Sequence, residues 1–323
     1  MHSVWQEWLS SQAPTEILKT GDVAPAAAGR FIPLSGFALL RASGEDAQNF
    51  LQSQLSSDIR LISSQSAQYS TYSNAKGRMQ GSFLIWLYQG DYYLLLKADI
   101  ADRVRQRLSM FILRSKVKLE RVDAGWGLVG LISDEALSDH DATGLKVSAT
   151  EREVRIQLDA TSALLLFESP QPADLARLAA QMRLADEAFW TLRDIRAGIG
   201  WVSAATYEAF VPQMANMEVI GAISFQKGCY PGQEIVARTQ YLGKVKRRMY
   251  RVLASIALEP GQPLFGEETG EQAIGAVVES VALEGGTWEG LVVVQSAAWE
   301  EGVHYQSLQG PLLEKLELPY SVD

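Results

Sequence analysis

Residues 226–234 read Gln226-Lys227-Gly228-Cys229-Tyr230-Pro231-Gly232-Gln233-Glu234. Two glycines and a proline within nine residues call for a backbone that regular elements avoid, so the stretch is a tight turn. Ala222 to Phe225 reads as a strand leading in, and Gln233 to Tyr241 as a helix leading out, with Pro231 near its first turn. That arrangement sets Cys229, the chain's one cysteine, beside a helix N-terminus with Lys227 adjacent. Both influences favour the thiolate, the reactive form. The plainer alternative is a small apolar residue filling a strand-to-helix turn. The costly backbone around the sulfur favours an accessible, reactive Cys229 positioned by Gly228 and Gly232.

Upstream of this turn, strands and helices alternate. Strand patterns fall at Phe37 to Arg41, Tyr69 to Tyr72, Gln80 to Tyr88 and Tyr92 to Leu96, the last two joined at Gly90-Asp91. Ser43-Gly-Glu-Asp caps a helix with Ala47, Phe50, Leu51 and Leu55 on one face, and Ile100, Val104 and Leu108 mark a second helix. From Val117 the pattern begins again, with strands at Val117 to Val122, Leu128 to Ser133, Glu153 to Leu158 and Ala163 to Glu168. Two helices follow, one carrying Leu175, Leu178 and Met182, the other running from about Asp186 to Ala197. The expectation is an α+β fold of two units in tandem, residues 1–118 and 119–242, the second carrying the Cys229 turn. After Gly243 short strands separated by Pro/Gly turns predict a small β-barrel over 243–323.

Composition bounds the function. With 29 Lys+Arg against 38 Asp+Glu the net charge is −9, which argues against a protein coated in basic charge and leaves room for a local basic patch. One cysteine excludes an intrachain disulfide, and with only His2, His140 and His304 at unrelated spacings no zinc or iron–sulfur site is expected within one chain. The N-terminal Met-His-Ser-Val-Trp-Gln-Glu-Trp has no apolar core segment of a signal peptide, and no apolar run approaches the roughly 20 residues that span a bilayer. A cytoplasmic protein is expected.

Three further features carry chemistry. On its helix Trp190 lies about 200° from the inward set Ala188, Leu192, Ile195 and Ile199, so it is expected to meet another domain, a ligand or solvent. Lys244, Lys246, Arg247, Arg248 and Arg251 form the densest basic run. On a strand Lys244, Lys246 and Arg248 share a face, either as a charged edge or as a contact for phosphate or a nucleic-acid backbone. Gly125-Trp-Gly-Leu-Val-Gly130 matches G-x-G-x-x-G but runs into Leu131-Ile132 with strand character, so no dinucleotide site is assigned. Gly243-Lys244 lacks the first glycine of a P-loop.

With these residues in hand, the chain resembles the YgfZ family of folate-binding, tRNA-modifying proteins, relatives of the glycine-cleavage T protein, an aminomethyltransferase. Lys227-Gly-Cys-Tyr-Pro-Gly-Gln-Glu234 matches the family's K-G-C-Y-x-G-Q-E signature, extended by Ile223-Ser-Phe and Val236-Ala-Arg238. Weaker likeness covers Ser43 to Asp58, the turn Asn74-Ala-Lys-Gly-Arg-Met79, Phe111 to Val117 and Arg193-Asp-Ile-Arg-Ala-Gly198.

The resemblance implies an aminomethyltransferase-like folate-binding domain of two α+β units around a central channel, followed by a small β-barrel. It implies tetrahydrofolate or a one-carbon derivative as ligand, associated with Phe37, where a Trp is usual, and with Trp190. Aminomethyltransferases carry an acid just after the glycine turn, whereas here Met79-Gln-Gly-Ser82 has no carboxylate, and Arg196 replaces an acid in the related helix. The expectation is therefore a kept folate pocket and lost transferase chemistry, with Cys229 as the reactive thiol and Lys227 making it more acidic. Gln233 and Glu234 would satisfy loop amides or hold Arg238, with Glu234 as proton acceptor for the thiol the lesser option. Tyr230 completes the motif. The implied role is a folate-dependent accessory to iron–sulfur enzymes, including those that methylthiolate tRNA. The rivals are an active one-carbon transferase and a non-catalytic tRNA-binding scaffold using the basic run.

Overall fold

A computed structural model of the chain describes residues 3–11, 29–133, 135–137, 144–242, 245–267 and 270–322. After a short helix α1 (Ser3–Ser10) come β1 (Arg30–Pro33), β2 (Phe37–Ser43), α2 (Ala47–Gln54), β3 (Ser66–Ser73), β4 (Met79–Tyr88), β5 (Asp91–Lys97), α3 (Ala101–Ser109) and β6 (Lys118–Arg121). The middle of the chain forms β7 (Trp126–Ile132), β8 (Leu145–Ala149), β9 (Glu153–Gln157), β10 (Ser162–Glu168), α4 (Pro172–Ala179), β11 (Arg183–Leu184), α5 (Glu187–Arg196) and α6 (Gln233–Leu242). The rest is β: β12 (Arg247–Ala254), β13 (Pro263–Phe265), β14 (Gly275–Ala282), β15 (Trp288–Gln295), β16 (His304–Tyr305) and β17 (Glu314–Leu316).

The first eleven strands make one sheet in the order β11-β1-β7-β10-β9-β8-β3-β4-β5-β2-β6, antiparallel throughout except where β1 meets β11. Its two halves meet where β3 pairs with β8, Ala67 opposite Leu145. The halves are interleaved along the chain. β1 pairs with β7 and β11, so the opening segment is built into the later half, while β6 at 118–121 closes the earlier half against β2. A cut between residues 118 and 119 is thus not a cut in the sheet.

The glycines of 125–130 have a packing cause. Successive strand residues face opposite sides, and a methyl on Gly127 would lie 2.5 Å from the Trp5 ring, one on Gly130 2.1 Å from the Trp190 ring. Each glycine leaves a notch for one indole, one on each face of β7. Trp5 joins Phe31, Leu165 and Phe167 under α4; Trp190 joins the larger core with Leu164 and Leu166.

The last six strands form a curled antiparallel sheet in the order β16-β13-β14-β15-β12-β17. It is half a barrel with β16 and β17 as its ends, where a closed barrel was expected. Two ion pairs join it to the rest of the molecule, Lys97 of β5 to Glu279 at 2.8 Å and Arg196 of α5 to Glu289 at 3.2 Å, while Arg251 of β12 meets the same Glu289 at 3.0 Å within the sheet. The Glu289 carboxylate is buried between its two arginines, an arrangement that resists separation because either partner alone would be left desolvated.

Candidate functional site: the Cys229 loop and the buried charges behind it

Residues 222–225 are irregular, not the expected strand. A strand needs a ladder partner, and here the backbone groups are satisfied singly: Ser224 N donates to Ser56 O at 2.9 Å, Ala222 N to Met217 O at 2.8 Å, and Ser56 Oγ to Ala222 O at 2.7 Å. The lead-in is thereby pinned to the segment after α2. The outgoing helix is present as α6, anchored by Gln213 Nε2 donating to Val236 O at 2.6 Å.

Lys227 does something other than tune a thiol. It is 5% exposed, and its ammonium donates to the carbonyls of Gln52 at 2.7 Å, Leu55 at 2.5 Å and Ser57 at 2.8 Å. All three donors are spent at the C-terminal end of α2, where cation and helix dipole attract. Burial pushes its pKa down to about 8, so it is still charged at neutral pH. The expected Lys227–thiolate partnership is therefore corrected: the lysine is a peg that holds the loop.

Gly232 is the glycine that the loop cannot replace. Its φ is +81°, and a methyl there would lie 2.6 Å from Asn74 O and 2.8 Å from Gly77 Cα. Gly77 in turn has φ +71° and leaves room for Ile235. The loop and the Asn74–Met79 turn are thus pressed together backbone to backbone. At Gly228 a side chain would meet open space, so its expected steric role falls away. Tyr230 is buried, its ring 5.3 Å from the Lys227 ammonium, and burial pushes its phenol up to about 12. Gln233 Nε2 donates to Lys227 O at 3.4 Å, a loop carbonyl where loop amides were the expected partners. Glu234 and Arg238 are exposed on α6, and among the described residues no ion pair joins them. Cys229 itself is exposed and free.

The two rings expected to meet folate are packed. Trp190 is 3% exposed, seated on Gly130 with the Arg193 guanidinium 5.5 Å from its ring, so the expected outward aromatic is an inward one. The helix buries more of its circumference than one stripe because it is sandwiched between the large sheet and the C-terminal one. Phe37 is 4% exposed, with the edge of Trp201 at 5.2 Å between centroids and the Lys97 ammonium 4.8 Å away.

Between these rings runs a chain of buried polar contacts that the apolar periodicity of α5 did not disclose. Arg193 donates to Asp194 and to Asp159, each at 2.7 Å, and to Ser162 Oγ at 2.9 Å; Trp201 Nε1 donates to Asp194 at 2.8 Å. Burial disfavours the Arg193 charge, but Asp194, Tyr69 and Asp159 raise its pKa above the usual guanidinium value. Burial pushes the Tyr69 phenol up to about 12. The one signal available beforehand was Arg193-Asp194 set between the apolar Leu192 and Ile195. The set is closed on itself: Arg193, Asp194, Asp159 and the Trp201 indole are spent on one another. Stacking on Phe37 or Trp190 does not fit, because Lys97 and Trp201 cover the first and Gly130 and Arg193 the second.

In the basic run after Gly243 two arginines are paired, Arg248 with Glu218 and Arg251 with Glu289. Lys244 lies outside the described residues, and Lys246 is exposed just before β12. Arg248 donates to Gln213 O at 3.0 Å and to the Glu218 carboxylate, so it is not a free phosphate contact. At the glycine turn Gln80, in place of a carboxylate, donates to Glu208 at 2.6 Å, bringing an acid from a separate segment. Hydrogen bonds from Gln80 and Asn74 hold the Glu208 carboxyl below its usual range. Among the described residues no group of three His, Cys, Asp or Glu could hold a metal ion, and no helix is long and apolar enough to cross a membrane.

No family model matches the chain. An uncharacterized protein of Haemophilus influenzae is 30% identical over 299 residues, covering 91% of this chain and 99% of that one. The tRNA-modifying protein YgfZ of Aliivibrio fischeri is 27% identical over 90% of this chain and 92% of its own, and that of Sodalis glossinidius 28% over 90% and 93%. Among solved structures, the glycine cleavage system aminomethyltransferase T of Bartonella henselae superposes with a TM-score of 0.70 over 91% of this chain and 87% of its own, at 15% identity. That likeness carries the fold.

Proposed function

This chain belongs to the YgfZ family of tRNA-modifying proteins, and from that premise we propose that it is a folate-binding accessory protein of tRNA modification. In this reading it serves methylthiolation and the upkeep of iron–sulfur enzymes through the thiol of Cys229. The observation that carries the reading is an exposed sulfur on a loop whose neighbours are committed to holding it: Lys227 on three carbonyls, Gly232 against Asn74 and Gly77, and Gln233 on Lys227 O.

Folate, when bound, would supply one-carbon chemistry. Its polar edge would meet Arg193, Asp194 and Lys97 only if these left their present partners Asp159, Trp201 and Glu279. A catalytic one-carbon transferase is disfavoured by the same geometry. A general acid is poised by a raised pKa, whereas Glu208, the carboxylate brought to the glycine turn, is held low. A scaffold acting through Lys244, Lys246 and Arg248 is disfavoured by the Arg248–Glu218 pair.

The test pairs two measurements. Calorimetric titration with tetrahydrofolate is run on the wild type and on Cys229→Ala, and methylthiolated nucleosides are measured in tRNA from cells whose only copy is one or the other. Folate binding retained by both, with methylthiolation lost in Cys229→Ala, supports the proposal. Unchanged methylthiolation in Cys229→Ala rejects the thiol, and absence of folate binding in the wild type rejects the cofactor.

A further inference from the structure

A cavity of about 370 Å³ opens beside α3, where the chain leaves the Asn74–Met79 turn at Gln80, lined in part by Gln80, Arg103, Arg107, Tyr207 and Glu208. Arg103 and Arg107 are four residues apart on one face of α3, both exposed, and no carboxylate among the described residues lies within ion-pair distance of either. The other charges of that helix are spoken for: Asp102 pairs with Arg105 and Arg121. In a chain of net charge −9 these two cations close no ion pair among the described residues, and the one acid of the cavity wall, Glu208, feels both without contacting either as a salt bridge. Arg103 lies over the Tyr207 ring at 3.5 Å, which fixes its plane.

A second, independent observation concerns acceptors. Gln80 is 4% exposed; its amide nitrogen is used on Glu208, while its Oε1 is buried without any partner. An orphaned acceptor asks for an O–H or N–H donor, which a phosphodiester group lacks and a ribose hydroxyl has. The pocket therefore offers two guanidiniums for an anion and, within the same wall, an unpaired amide oxygen and a carboxylate for hydroxyl donors. Glu208 holds its place with φ +60°, a left-handed conformation costly for a residue with a Cβ.

We propose that this cavity binds a ribose-phosphate unit of an RNA strand, Arg103 and Arg107 holding phosphate and Gln80 and Glu208 accepting from ribose hydroxyls. A 2′-hydroxyl is what lets such a site prefer RNA to DNA. The turn behind the pocket is the one on which Gly232 and Ile235 rest, so a strand seated there passes the Cys229 loop. The inference rests on the tRNA-modifying reading and names the surface that would carry it.

The test is fluorescence anisotropy with labelled unfractionated tRNA, a 12-nucleotide single-stranded RNA and its DNA counterpart, between 50 and 200 mM salt. Arg103→Gln with Arg107→Gln is expected to weaken RNA binding on the order of 30-fold and to lower the salt slope by about 0.7, the value for one phosphate on a single strand. Arg152→Gln with Arg177→Gln removes the same charge elsewhere and should leave both unchanged. Glu208→Gln, together with Gln80→Met checked for native circular dichroism, should bring the RNA-to-DNA affinity ratio toward one while keeping the salt slope. Equal binding by wild type and the Arg103/Arg107 variant overturns the site, as does binding of free AMP without binding of either RNA. Neither result touches the Cys229 and folate measurements, which stand or fall on their own.

Discussion

Replacing Lys227 by methionine separates the two roles that a lysine in this loop could play. Methionine keeps most of the stem and removes the ammonium, so the carbonyls of Gln52, Leu55 and Ser57 lose their common donor. Each buried acceptor left unpaired costs about 1–3 kcal/mol, a gross loss of roughly 3–9 kcal/mol. Against that stands the relief of burying a charge. A fall from the ordinary value of 10.5 to about 8 is worth about 3 kcal/mol at about 1.4 kcal/mol per pH unit. The net loss expected is on the order of 3 kcal/mol. Urea unfolding followed by tryptophan fluorescence reads it as a lowered midpoint at unchanged slope. Alkylation of Cys229 against pH, on folded protein, reads the other role: its midpoint should be the same in wild type and variant. An unmoved urea midpoint, or a thiol midpoint that climbs by a unit or more, would refute the assignment of Lys227 as a peg.

Three further outcomes follow from the packing. Gly130→Ala places a methyl within 2.1 Å of the Trp190 ring, on a sheet face that cannot recede, and should cost about 3 kcal/mol by thermal or urea melting. Gly232→Ala forces a side chain at φ +81° against Asn74 O and should cost about 2 kcal/mol, with faster limited proteolysis between residues 222 and 232. Asp159 is held at about 2: burial opposes its ionisation but Arg193 prevails. Its folded pKa lies below the unfolded value, so its contribution is present above about pH 4 and lost as pH falls toward 2. At 43% side-chain exposure it is on the order of 1 kcal/mol after screening, and the acid slope should shrink to match in Asp159→Asn.

What could be read from the chain divides along a physical line. Strands β4, β5, β7, β10 and β15 announce themselves as near-continuous apolar runs buried on both faces, β12 by alternation, and helices α3, α4 and α5 by apolar residues at helical spacing. Strands β1 and β8 were missed: each is short, and β8 has alternating exposed residues with only Val147 buried. The 222–225 segment looked like a strand because Ile223 and Phe225 are strand formers, yet its backbone found single partners in the α2–β3 connection. Trp190 faces inward because α5 is covered on two sides, where its apolar spacing marks one stripe, and buries Phe189, Trp190, Asp194 and Ile195 alike. The signature at 227–234 located the site, but the division of labour within it depends on carbonyls that are distant in sequence, about which local spacing says nothing.

The loop's own economy bears on why a cysteine stands at 229. Lys227 reaches the end of α2, Tyr230 fills a buried space, Gly232 allows contact with the 74–77 turn, and Gln233 closes back onto Lys227. Each of these residue types is required by something the fold does. Cys229 is exposed and makes no such contact, so serine or alanine would satisfy the fold equally well. A buried filler, the plain alternative for a solitary cysteine, would have shown the sulfur among apolar neighbours. Exposure removes that explanation, and the proposed chemistry of the thiol is the reading that accounts for the residue. A rigid mounting is also what such chemistry needs, since holding a reacting atom in place beforehand spares the cost of ordering it when a partner arrives. The buried lysine, costly as an isolated charge, is then understood as part of the mounting rather than of the reaction.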